Sequence, residues 1–121
     1  MPKTKDDIVR LRLMLDVFQK MKSMTSGKNR SQITADEREA LARLTESLVE
    51  TAARISPDMQ RSHTAVLWRE ITVLKNRLAH SDDETAFDLA WGFVTADLER
   101  GLAPLQKAVD EEKANEQENP T

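Results

Sequence analysis

Cysteine is absent from the 121 residues, which excludes disulfides and thiolate metal ligands and fits a reducing compartment. Glycine and proline are scarce, at three and four, too few for the many turns of a β sandwich or barrel. No apolar run approaches the roughly 20 residues of a membrane-spanning helix. The opening MPKTKDDIVRLRLML has no uncharged apolar stretch of the kind a secretory leader carries, so a cytoplasmic protein is expected. A strong charge of one sign is missing too. Residues 110–121 hold five acids against Lys113, a net −4, so the −3 of the whole chain leaves +1 for residues 1–109. A nearly neutral body excludes a general basic field for nucleic acid, and any RNA contact would have to be local.

What the chain does have is helical periodicity. The length fits one domain, with a modest core that pairing with a second chain would help. Thr4 can cap a first helix, with Asp6 and Asp7 at its positive end and Ile8, Leu11, Leu15 and Phe18 at helical spacing. Ser26-Gly27-Lys28-Asn29 reads as a loop. Thr34 and Glu37 have capping-box spacing and open a second stripe, Leu41 to Ile55, that should stop near Ser56 because Pro57 follows. Pro57 can open a third helix whose stripe, Val66 to Leu78, ends about His80. Ser81-Asp82-Asp83 reads as a loop and a new cap. A fourth helix carries Phe87, Ala90, Trp91, Val94, Leu98 and Leu102, with Pro104 expected to kink or end it before a short fifth segment, Leu105 to Val109. The prediction is an all-α, antiparallel four- to five-helix bundle over residues 1–109 and a disordered acidic tail over 110–121.

The stretch Lys75 to Asp83, KNRLAHSDD, admits two readings. Cations suit the negative end of a helix dipole, so Lys75, Arg77 and His80 can simply finish a helix, with Asp82 and Asp83 starting the next. Geometry offers the other. Asn76 and His80 lie about 40° apart around the helix, and Arg77 neighbours His80, so the three can share a face away from the core stripe. An imidazole for proton transfer, a guanidinium for charge and an amide for positioning would make a phosphate site. Lys75 lies about 140° from His80 and joins them only if the helix frays near Ala79 or a second subunit contributes.

Trp68-Arg69-Glu70-Ile71 leads into Lys75-Asn76-Arg77-Leu78-Ala79-His80. Downstream come Phe87-Asp88-Leu89-Ala90-Trp91, then Asp97-Leu98 and Ala103-Pro104-Leu105. Over about residues 5–109 this layout resembles the HEPN superfamily, and most of all the HepT-like toxins, whose third helix carries Arg-Asn-x-x-x-His, usually followed by x-Tyr. The resemblance implies a homodimeric helical bundle that cleaves RNA without a metal or other cofactor. It also implies a nucleotidyltransferase-like antitoxin as partner. His80 would transfer protons, Lys75 and Arg77 would hold the phosphate, and Asn76 would position the site. Two positions depart from the pattern. The family's Arg falls at Lys75, which keeps the charge but loses the planar fork. The family's Tyr, the residue that the antitoxin modifies with AMP, falls at Asp82, and the chain has no tyrosine.

The remaining candidates read as structural. His63 is expected at the surface or in an interface, Trp68 and Trp91 in packing, Glu70 in a solvated or salt-bridged position, and the methionines in the core. Two further functions stay open at this point: a non-catalytic HEPN subunit that binds a nucleotidyltransferase-like protein, and a plain helical adaptor in which KNRLAH is only a helix end.

Overall fold

Thr4 sets the first helix. Its Oγ1 accepts from the Asp7 N–H and the Asp7 carboxylate accepts from the Thr4 N–H, both at 3.1 Å. This reciprocal cap satisfies donors that a helix start leaves open. In the computed structural model, which describes residues 3–118, helix α1 runs Lys5–Thr25. Just beyond its end Gly27 adopts φ +75°, a left-handed value that side chains resist. A 3-10 turn, Arg30–Gln32, leads to Thr34, which forms the second reciprocal cap with Glu37 and starts α2, Ala35–Ala53. Thr4 and Thr34 both cap where the sequence places them, and the reciprocal bond expected at Thr34 is found at Thr4 as well.

Ser56 caps α3, Pro57–Ser62, and also ties it to α1. The Ser56 hydroxyl accepts from Met59 N–H and donates to Asp7 at 2.6 Å, while the Ser56 N–H donates to the other Asp7 oxygen at 2.9 Å. Burial alone would raise the Asp7 pKa. The bonds from Ser56 and Thr4, with the charge of Arg10, outweigh it and hold the carboxyl below its ordinary range.

The single helix expected from Pro57 to about His80 is in fact two. His63 leaves helical geometry at φ −135°, ψ 63°, and its carbonyl accepts from the Trp68 indole N–H at 2.8 Å. The chain turns through residues 63–67 and restarts as α4, Trp68–Leu78. Asp82 then caps α5, Asp83–Phe93, as its position in the sequence suggests.

The break expected at Pro104 is also corrected. From α5 the chain passes through a π-helical turn, Val94–Leu98, into α6, Glu99–Glu118, with Pro104 inside α6. An interior proline costs roughly 3 kcal/mol. Burying a side chain such as Leu or Val contributes about 1.5–3 kcal/mol, and Leu98, Leu105 and Val109 are all buried on this segment. Burial therefore outweighs the missing hydrogen bond. Gly101 lets α6 come close: a Cβ there would lie 2.9 Å from Leu67 Cδ1 and 3.0 Å from Phe18 Cε2.

The disordered tail is overturned for residues 110–118, which continue α6; residues 119–121 lie outside the described residues. Glu112 is 4% exposed and meets Lys3 and His63, and Glu116 meets Arg12. Glu112 and Glu116, which look like part of a solvated tail in the sequence, thus meet partners that the fold brings to them from α1 and the residues before it.

Among the described residues the architecture is all-α: five longer helices and the short α3. Helix α1 packs on both α2 and α6, α2 packs on α4 and α5, and α4 pairs with α5. Leu11, Met14, Phe18 and Met21 of α1 meet Leu41 and Leu48 of α2, Ile71 of α4 and Leu105 of α6 in a single core cluster. Phe18 and Phe93 pack edge to face at 5.6 Å, a favoured aromatic geometry. No described helix is long and apolar enough to cross a membrane.

Candidate functional site

Helix α4 divides its faces cleanly. Ile71 and Leu74 are buried, while Arg69, Val73, Asn76 and Arg77 are exposed on the other side, with His80 in the turn that follows. Ala79 N–H donates to Lys75 O at 3.1 Å, and the end then tightens into three-residue turns, His80 N–H to Arg77 O and Ser81 N–H to Leu78 O, both at 3.2 Å. The helix proper ends at Leu78, and this tightened turn sets the register of His80.

That register brings Asn76, Arg77 and His80 together. They line one shallow groove of about 520 Å³ whose other walls are Val73 of α4 and Thr85 and Leu89 of α5. Lys75 is not among them. It borders a separate pocket, beside Val49, Ala52 and Ala53 of α2 and Gln60 of α3, which Asn76 also lines. A turn of 100° per residue sets Lys75 apart from His80, which lies beyond the helix end at Leu78. Within one chain the groove offers an imidazole, a guanidinium and an amide, but not the lysine.

Asp82, two residues past His80, is committed to α5. Its carboxylate accepts the Thr85 N–H at 2.8 Å, and the backbone and side-chain bonds from Thr85 hold its pKa below the ordinary range. A carboxylate thus stands where the family pattern has a tyrosine.

A larger groove of about 610 Å³ continues from the first between α4 and α5, sharing Val73, Arg77 and Leu89 with it. It adds Arg69, Glu70, Asp88 and Asp97 at its walls, and the π-helical turn supplies Ala96 and Asp97. Glu70 is salt-bridged, 3.7 Å from Arg100. Reading KNRLAH alone missed Arg69 and Val73 as parts of this surface. The signal was available: positions 69, 73 and 77 repeat every four residues on one helical face. Val73 is 43% exposed, one of few large apolar side chains left in water.

His63, expected at the surface or in an interface, is buried at 8% exposure. Its Nε2 lies 2.5 Å from Glu112, whose carboxylate accepts, and its Nδ1 lies 3.4 Å from Glu111. It belongs to the packing of α6, not to the groove. Trp68 and Trp91 are partly buried against the core. Among the described residues, no group of three or more carboxylate and imidazole side chains is arranged to hold a metal ion.

Comparison with known proteins gives one positive result. A family model described as ribonuclease HepT-like matches residues 14–110, which span α1 from Met14 through most of α6, including the whole of α4 and its histidine. No curated protein and no solved structure gives a match. A match over most of the chain, on an all-α bundle of this kind, means that the protein belongs to the HepT-like ribonuclease family of the HEPN superfamily.

Proposed function

We propose that this protein is a HepT-like toxin: a metal-independent endoribonuclease that acts as a homodimer and is neutralised by a nucleotidyltransferase-like antitoxin. The observation that carries the reading is the convergence of Asn76, Arg77 and His80 on one open groove in a chain of a ribonuclease family. The reaction is attack of a ribose 2′-OH on the adjacent phosphorus with loss of the 5′-oxygen, giving a 2′,3′-cyclic phosphate and a 5′-OH. His80 takes the proton from the 2′-OH or gives one to the departing 5′-oxygen. The Arg77 guanidinium stabilises the charge that builds on the phosphorane, and Asn76 holds a non-bridging oxygen.

One imidazole cannot serve both proton transfers at once. A second copy of the chain would supply another His80, and it gives Lys75 its remaining route to a phosphate, since its own helix points it at α2. Neutralisation would be by binding, because the chain has no tyrosine to modify.

A second reading is favoured by Asp82, whose ionised carboxylate follows the histidine by two residues, and by Lys75 facing away. In that reading the chain is a non-catalytic subunit that docks a nucleotidyltransferase-like protein. Expression of the wild type and of His80→Ala in a bacterial host, with in vitro RNA cleavage by each purified protein, separates the two. Growth arrest and cleavage that vanish in the variant support the toxin. A stable complex with the nucleotidyltransferase-like partner and no cleavage by the wild type supports the second reading.

A further inference from the structure

The acids around the α4–α5 groove are already engaged by cations that do not line it. Asp88 pairs with Arg30, while Asp97 and Glu70 both pair with Arg100. The two cations that do line the groove, Arg69 and Arg77, are exposed and enter no ion pair among the described residues. The groove therefore presents two uncommitted guanidiniums beside three carboxylates that share Arg30 and Arg100, a net positive balance suited to a polyanion.

Their placement defines what kind. Arg69 and Arg77 are eight residues apart, about 12 Å along the helix axis. Val73 lies midway on the same face, with Leu89 opposite on α5. Arg77 belongs also to the groove of His80; Arg69 does not. A strand laid along α4 would meet Arg77 at the phosphate near His80 and Arg69 at a later one. The apolar side chains between them would receive a base turned out of its stack, which a double helix does not offer.

We propose that Arg69 is a positioning residue that binds a phosphate remote from the cleaved one, and that the α4–α5 groove holds several nucleotides of single-stranded RNA. This rests on the ribonuclease reading above.

The test is binding of an RNA of about eight nucleotides, 2′-O-methylated so that it cannot be cleaved, and of the matching dinucleotide, over a range of salt concentrations. Arg69→Gln should weaken octamer binding roughly two- to fivefold and lower its log–log salt slope by about 0.7. It should leave the dinucleotide unchanged, and Arg69→Lys should restore the slope. In cleavage of unmodified RNA the glutamine variant should raise KM at constant kcat. An unchanged salt slope, or equal losses on octamer and dinucleotide, overturns the proposal. So does an Arg69→Gln protein that alters self-association in sedimentation while binding RNA normally, which would make the groove a protein-facing surface. If the wild type cleaves RNA and Arg69→Gln behaves like it, only this inference falls. If the wild type neither binds nor cleaves RNA, the ribonuclease reading falls with it.

Discussion

His63 and His80 stand at opposite extremes of what an imidazole can do in one small bundle. His63 is buried, 2.5 Å from Glu112, with Lys3 on the same carboxylate and Glu111 on the other ring nitrogen. His80 is exposed on a shallow groove with Asn76 and Arg77 and closes off a helix end that needs nothing from its ring. A buried, charge-partnered ring is fixed in orientation and shut off from substrate. An exposed ring beside an uncommitted guanidinium can reach a phosphate and exchange protons with it. Surroundings alone separate a ring held in the packing from a ring open to a ligand, because the residue type is the same.

The largest expected effect breaks the comparison on the chemical side. His80→Ala should lower the RNA cleavage rate by about 10²–10⁴-fold and leave the thermal midpoint where it was, since the ring is exposed. Paired cleavage assays and melting curves check both halves. The mirror experiment is His63→Ala. Losing the ring leaves Glu112 buried with Lys3 as its remaining partner and removes packing under α6. The expected cost is about 2 kcal/mol of folding stability, read in urea denaturation, with cleavage per folded molecule unchanged.

A smaller effect follows from acid. Burial would raise the Glu112 pKa, but the bonds and charges of His63 and Lys3 lower it below the ordinary value near 4.5. Because the folded pKa is depressed, this stabilisation is full above that ordinary value and is lost as pH falls through the folded one. Asp7, lowered in the same direction, adds to the trend. Urea midpoints should therefore fall as the pH drops below about 4.5, and Glu112→Gln should remove part of that slope. A wild-type protein whose midpoint is flat through this window would contradict the assignment.

The smallest expected effect sharpens the comparison at His80. Asparagine caps helices as well as aspartate does, so Asp82→Asn should preserve α5 and its melting temperature. It removes a carboxylate two residues from His80, and RNA binding should tighten by a factor of about two at low salt. Fluorescence anisotropy at two salt concentrations checks it, because the gain should shrink as salt rises.

Much of the fold was legible because its signals are local. Thr4, Thr34 and Asp82 cap helices where the sequence places caps, Thr34 by its spacing to Glu37. Asn76, Arg77 and His80 share a face because a helix turns 100° per residue, and the same angle turns Lys75 away. The errors arose where distant residues decide. Nothing near Ser62 announces a break, since the turn is fixed by the His63 carbonyl on the Trp68 indole and by a buried ring that meets Glu112. Pro104 reads as a helix end until the burial of Leu105 and Val109 against the rest of the bundle is counted. Glu112 and Glu116 read as tail until Lys3, His63 and Arg12 are brought to them.

The sequence by itself determined the helical class, the caps, and the nearness of Asn76 and Arg77 on α4 to His80 in the turn after it, because each depends on residues within a turn or two of one another. Only the tertiary structure decided which histidine is sealed in the core. It also decided that α6 extends to Glu118, and that the acids of the α4–α5 groove pair with Arg30 and Arg100 while Arg69 and Arg77 enter no ion pair among the described residues. Those outcomes depend on charges and apolar surfaces far apart in the chain, whose meeting is set by how the helices pack and not by any local pattern.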